Sequence, residues 1–328
     1  MRQANKTVTR RSKERTIQMQ NKVTGYVYDP IFLKHDWPDH PEHKGRLESI
    51  YSHLQRVDIL ATMHQIQVRP ATEHELLHVH TQQYLEKIKV WQDWLDGDTY
   101  MNNHSYQAAI HAAGGLIDLV LQVQAGEVNN GIALLRPPGH HALPDRGMGF
   151  CILNNEAIAA TVILEKRLVD RLAIVDFDVH HGNGTQAVFY SDPRVLYISS
   201  HSYPFYPGTG SIEETGEGEG KGTTVNIPLT QGSGDDIFKQ IYESKVRNNL
   251  FKFKPQIMII NAGYDAHRDD PLGNLSLTNQ GFVDIVRILL ATANELCHGK
   301  IIFSLNGGYN LSALETAVTD TIKLLLAN

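Results

Sequence analysis

Short apolar runs that do not alternate with polar residues, separated by segments of helical period, constrain the fold of this chain more than any other feature. The runs cover 132–135, 172–177, 195–199, 257–260 and 301–305, preceded by a β-like stretch at 24–29. Helical period marks 105–124, 155–166, 235–253, 278–296 and 311–326. Strands without a polar face belong to a sheet buried on both sides. Their alternation with helices predicts an α/β fold with a mostly parallel sheet. No Pro/Ser-rich linker and no internal repeat interrupts the pattern, so one domain is expected.

Composition narrows the function. With 41% apolar and 20% charged residues among 328, the chain can fill a core, which excludes global disorder. A net charge of −6 argues against a phosphate-binding surface, so no direct nucleic-acid contact is expected. Two cysteines, Cys151 and Cys297, cannot frame a disulfide scaffold and point to a reducing, cytoplasmic setting. No apolar run is read as a membrane span. Residues 1–22 carry seven basic side chains against the single acid Glu14, with no apolar stretch. They read as a solvated or partner-bound basic arm rather than a secretory signal, although a transit peptide shares that composition. The remaining 23–328 form the domain, and self-association is left open.

In open parallel sheets the chemistry sits beyond the carboxyl ends of the strands. The polar residues there therefore matter most. Asp176, Asp178 and His180 stand two apart, and in an extended chain all three point the same way. Asp265 ends another strand. A lone Asp would read as a helix cap, but two carboxylates and an imidazole suit a catalytic Zn²⁺ or Fe²⁺ with open positions. His140-His141 follows the stiff Pro137-Pro138-Gly139, and one of the pair suits a general base. Tyr309, after Gly307-Gly308, brings a hydroxyl suited to a developing oxyanion.

Two motifs are decoys. His74-Glu-Leu-Leu-His78 matches the H-E-x-x-H zinc-protease pattern, but Thr81 reads as the cap of a new helix. Leu76, Leu77 and Val79 then read as packing residues of a short helix with surface histidines. The glycine-rich run 207–222 ends in Gly220-Lys221-Gly222, lacks the P-loop spacing and is acidic, so it reads as a flexible surface loop.

Taken together, Arg136-Pro-Pro-Gly-His-His141, Gly149-Phe-Cys-Ile-Leu-Asn-Asn155, Asp176-x-Asp-x-His-His-Gly-Asn-Gly184, Tyr206-Pro-Gly-Thr-Gly210, Gly263-Tyr-Asp-Ala-His267 and Gly307-Gly-Tyr309 resemble the zinc-dependent histone deacetylase and acetylpolyamine amidohydrolase family. His40-Pro-Glu-x-x-x-Arg46 extends the resemblance toward the N-terminus. Asn183 stands where class I members have Asp, so the chain resembles class II.

The resemblance implies an arginase/deacetylase α/β domain with a roughly eight-stranded parallel sheet between helix layers. It makes Asp178, His180 and Asp265 the zinc ligands, has Asp176 hold His140, and sets Asn183 beside His141. His141 would carry the water proton to the leaving amine, with Tyr309 holding the oxyanion. Phe150 and Phe205 would wall an apolar tunnel next to Gly149, with Leu272 at its mouth and Asp98 gripping substrate at the rim. A structural K⁺ would sit among Asp176, Phe177, Asp178, His180, Ser199 and Ser200, and a second monovalent ion near Phe189, Asp192 and Val195. The implied substrate is an acyl-lysine peptide or protein, the alternative being an acetylpolyamine or another small acylated amine. An arginase-like dimetal enzyme shares the fold, but no second cluster of metal-binding Asp residues is seen.

Overall fold

The computed structural model describes residues 22–328. The reading of 1–22 as a basic arm lies, except for Lys22, outside the described residues. Eight strands form one sheet: β1 (Thr24–Val27), β2 (His64–Ile66), β3 (Asn130–Ala133), β4 (Leu172–Asp176), β5 (Val195–Ser202), β6 (Thr224–Leu229), β7 (Met258–Ala262) and β8 (Ile301–Leu305). Their order is β2-β1-β3-β8-β7-β4-β5-β6, with every pairing parallel. The central strands β3, β8, β7 and β4 are buried along their whole length. This is why they read as unbroken apolar runs.

The two strands that periodicity does not reveal, β2 and β6, are the two edges of the sheet. β2 has only three residues. β6 is broken by polar and half-buried positions and contains Pro228, a residue an edge strand tolerates because one side of its backbone needs no partner.

The helices are α1 (Gly45–Arg56), α2 (Glu73–Leu77), α3 (Gln82–Val90), α4 (Ser105–Ala125), α5 (Asn155–Glu165), α6 (Asn183–Phe189), α7 (Asp235–Ile241), α8 (Arg247–Phe253), α9 (Asn279–Cys297) and α10 (Leu311–Ala327). The segment expected as one helix over 235–253 is divided by a wider π turn, Tyr242–Val246, between α7 and α8. One row of helices, α1, α10, α9 and α7, packs neighbour against neighbour, while α4 packs on α5. α4 corrects the expectation of no span-like segment: its 21 residues are long and apolar enough to cross a membrane. Its apolar residues instead pack on α5 and on strands of the sheet, which accounts for its composition.

Both decoys resolve structurally. Thr81 caps α3 by accepting from the Tyr84 amide, so α2 ends early. Glu75, the would-be base of a zinc protease, accepts both Arg69 guanidinium nitrogens at 2.8 Å and closes a capping box with Thr72. Leu77, expected to pack, is exposed. In the acidic glycine-rich loop Glu214 accepts from the Gly210 and Ser211 amides and from Gln186 Nε2. That part of the run is therefore anchored to α6, not a free loop.

Candidate active site

The site assembles from loops at the carboxyl ends of β3, β4, β7 and β8, joined by the loop after β5. β4 stops at Asp176, and the chain then turns. The strand-period reading therefore fails for Asp176: its carboxylate points away from the other two, accepting from Tyr197 at 3.1 Å and lying 3.0 Å from His140 Nδ1. Its second oxygen accepts from the Asp178 amide and from Asn261 Nδ2.

Asp178, His180 and Asp265 do come together, each offering one ligand atom, all within 4.8 Å of one another. Asp178 Oδ2 accepts from Asn306 Nδ2 and the Gly307 amide, both at 3.0 Å. Asp265 Oδ1 accepts from the Val179 amide at 2.9 Å. Asp265 Oδ2 is buried and receives no aligned hydrogen bond, although His180 Nδ1 lies 3.3 Å away. Burial together with the Asp178 charge pushes the Asp265 carboxyl up to about 7. Burial opposes a charge on His180, but its hydrogen bond to Asp178 and the nearby Asp265 carboxylate outweigh it and lift its pKa to about 10. Two buried carboxylates with an orphan oxygen are the situation a divalent cation relieves. Gly307 leaves the room: a Cβ there would lie 2.0 Å from Asp265 Oδ2 and 2.6 Å from Asp178 Oδ2. The residues fit a divalent metal.

The two adjacent histidines are driven apart. Burial works against charging His140, yet Asp178 and Asp176 overcome it and raise its pKa to about 9. His141 is held well below the usual histidine range by burial and by His140 and His180. Its Nδ1 lies 2.7 Å from Asn183 Oδ1. An amide oxygen only accepts, so Nδ1 carries the hydrogen and Nε2 keeps its lone pair. A pair of titratable groups pushed in opposite directions is an acid/base arrangement.

A pocket of about 580 Å³ opens above these residues. Its lining includes Asp98, Gly149, Phe150, Leu272 and Tyr309, five of the positions singled out in the sequence. Phe150 and Tyr309 meet edge to face with ring centroids 5.7 Å apart. Gly149 has φ +55°, and a Cβ there would come within 2.4 Å of the His141 ring. Phe205 is a correction. It stacks on His180 at 5.4 Å, and the neighbouring Tyr206 lines the pocket instead, edge-on to His141 at 5.1 Å. Two adjacent aromatics in an irregular loop carry no period that tells which one faces inward.

Beneath the floor lies a cluster the sequence reading left without a role. Glu42, Arg46 and Arg136 are completely buried. Glu42 accepts from Arg136 Nε at 2.6 Å and from Arg46 Nη1 at 2.9 Å. Arg46 also donates to the Gly308 and Asn306 carbonyls, and its guanidinium lies 4.8 Å from the centre of the Tyr309 ring. Of the residues expected around monovalent ions, Ser200 Oγ is 3.4 Å from the Asp176 carbonyl and also meets Tyr242. Asp192 is bound twice over by Arg194.

Comparison with known proteins adds an independent line. A histone deacetylase domain matches residues 40–325. A protein of Archaeoglobus fulgidus named "Probable deacetylase" is 40% identical over 295 residues, 88% of this chain and 82% of its own. Histone deacetylase 14, chloroplastic, of Arabidopsis thaliana is 37% identical over 315 residues, 90% of this chain and 74% of its own. The crystal structure of the HDA15 HD domain superposes with a TM-score of 0.89 at 37% identity, covering 94% of this chain and 90% of that one.

Proposed function

This chain belongs to the histone deacetylase family and is a hydrolase of amide bonds; on that premise we propose that it removes acetyl or other short acyl groups from lysine side chains, as a metal-dependent, class II-like enzyme whose catalytic unit is 23–328. The observation that carries the reading is the meeting of Asp178, His180 and Asp265 with His141 and Tyr309 around one pocket.

In this reading Asp178, His180 and Asp265 hold Zn²⁺, with Fe²⁺ compatible with the same ligands. A bound divalent ion supplies Lewis acidity toward the amide carbonyl and toward water. His141 Nε2 takes the proton of the attacking water and returns it to the departing amine. Asn183 holds the tautomer that leaves Nε2 free. His140, kept by Asp176, adds positive charge beside the reacting group. The Tyr309 hydroxyl donates to the oxyanion as it forms. Phe150 and Tyr206 flank the apolar stem of the substrate, with Leu272 and Asp98 at the mouth. A structural K⁺ among Asp176, Phe177, Asp178, His180, Ser199 and Ser200 is supported by the approach of Ser200 Oγ to the Asp176 carbonyl. The site near Phe189, Asp192 and Val195 has less support, because Arg194 already neutralises Asp192. A reducing setting is supported by Cys151 and Cys297, both free and buried.

A second reading, an acetylated polyamine as substrate, is favoured by the carboxylate of Asp98 at the mouth. One experiment tests both: turnover of a panel of acyl-lysine peptides and acetylated polyamines, with metal content measured on the same sample. Absence of hydrolysis across the panel by metal-loaded protein would sink the proposal.

A further inference from the structure

All three tryptophans of the chain stand exposed on one side of the pocket mouth. Trp37, Trp91 and Trp94 are 41%, 37% and 36% exposed. Large aromatics left together in water mark a surface that receives something. Trp37 and Trp94 meet edge to face at 5.5 Å, and Trp91 Nε1 donates to the Trp94 carbonyl. The patch is continuous with the catalytic pocket. The His40 ring lies 6.0 Å from Trp94 and 4.6 Å from Phe150, the pocket wall, and its Nε2 is 2.9 Å from the Asp98 carbonyl.

The loop that carries Trp94 holds charge of one sign, from Asp93, Asp96 and Asp98. Trp94 and Asp98 belong to one tight loop, closed by the Leu95 amide on the Thr99 carbonyl at 2.7 Å. Asp96 Oδ1 accepts from the Asp98 and Thr99 amides, which fixes its carboxylate within that loop. Among the described residues neither Asp96 nor Asp98 has a cationic partner. Burial and the Asp96 charge push the Asp98 carboxyl up. Lys87 already lies over the Trp91 ring at 4.7 Å, while among the described residues no cation covers Trp37 or Trp94. An uncovered indole beside unpaired carboxylates is the chemistry that recognises a guanidinium or ammonium group.

We propose that Trp94, with Trp37 beside it and Asp96 at its edge, forms a rim subsite for a basic side chain, arginine above all, flanking the acylated lysine. This rests on the acyl-lysine reading of the pocket. It assigns the enzyme a preference for acyl-lysines in arginine-containing sequences. Cation–π contacts at exposed sites carry about 0.5–1 kcal/mol, or roughly two- to fivefold in kcat/KM, and the neighbouring carboxylate adds a salt-sensitive part.

The test uses four substrates: a blocked acetyl-lysine amide without neighbours, peptides with Arg or Ala on either side of acetyl-lysine, and acetylspermidine. Wild type should favour the Arg peptides over the Ala peptides by several-fold. Trp94→Leu should bring the two together while leaving kcat/KM on the blocked amide unchanged. Asp96→Asn keeps the Oδ1 acceptor of the loop and so guards against misfolding; it should reduce the Arg preference and its dependence on salt. Equal kcat/KM for Arg and Ala peptides in wild type, an Arg preference that survives both variants, or a better kcat/KM for acetylspermidine than for the Arg peptides would each overturn the subsite. Failure to turn over even the blocked amide would instead strike the acyl-lysine reading beneath it.

Discussion

Asn183 Oδ1 and His141 Nδ1 are 2.7 Å apart, a neutral hydrogen bond in a position where a carboxylate would make an ion pair. His141 thus has no carboxylate on its Nδ1, and burial and its histidine neighbours outweigh the Asp178 charge and hold its pKa well down. Asn183→Asp places a negative charge within hydrogen-bond reach and favours the imidazolium. The acidic limb of the kcat/KM profile should then move to higher pH, by on the order of one unit. An unmoved limb would remove His141 as the group that titrates there.

Asp178→Ala and His180→Ala should each abolish both metal retention and amide hydrolysis, since each deletes one of three converging ligands. His74→Ala and His78→Ala should leave metal content at the wild-type level, because among the described residues neither belongs to a group of three converging ligands. Elemental analysis of the four purified variants decides the matter.

Tyr309→Phe removes one hydroxyl and leaves the ring against Phe150 and Arg46. Metal content should be unchanged. Loss of a single oxyanion donor costs about 10²–10³ in kcat. A kcat near wild type on an acetyl-lysine peptide would exclude Tyr309 from the reaction.

Glu42→Gln should be strongly destabilising, by about 3–5 kcal/mol, because it strands the guanidinium groups of Arg46 and Arg136 in the interior. Burial alone would raise the Glu42 pKa, but the charge of Arg136 and hydrogen bonds from its neighbours hold it well below 4.5. A depressed folded pKa stabilises the protein fully above the unfolded value, and that contribution fades as pH falls through the folded one. Denaturant titrations should therefore show the wild-type advantage over Glu42→Gln intact at pH 7 and shrinking below about pH 4.5.

Leu272 at the mouth gives no counter-charge to the free amines of a polyamine. Acetyl-lysine peptides should exceed acetylspermidine in kcat/KM, and Leu272→Glu should shift the ratio toward the polyamine. Direct competition between the two substrates reads this out; an unshifted ratio in the variant would show that Leu272 does not set the preference.

What could be read from the sequence followed burial. The apolar runs behind β3, β4, β5, β7 and β8 could be located because both faces of those strands are covered, and their polar ends then marked His140, Asp178, Asp265 and Tyr309. The edge strands β2 and β6 gave no such signal. α1 does carry one, with Leu47, Ile50 and Leu54 buried along a single face, but polar neighbours dilute it. The choice between Phe205 and Tyr206, the turn of Asp176 toward His140, and the meeting of Trp37 with Trp94 all depend on irregular loops. There neither the two-residue nor the 3.6-residue period applies. The Glu42 cluster joins residues from distant parts of the chain, which no local pattern can anticipate.

The wiring of the floor has a consequence for how the enzyme comes into being. Gly139 donates to Asn306, 167 residues later, and Arg46 holds Gly308 across 262 residues. β3 likewise waits for β8 as its neighbour. During synthesis the N-terminal two thirds of the chain emerges from the ribosome with its histidine pair and Asp178 already made but without the backbone that positions them. Such long-range pairings close late. A nascent or clipped chain that lacks the segment from Asn306 to Tyr309 therefore cannot form the complete site.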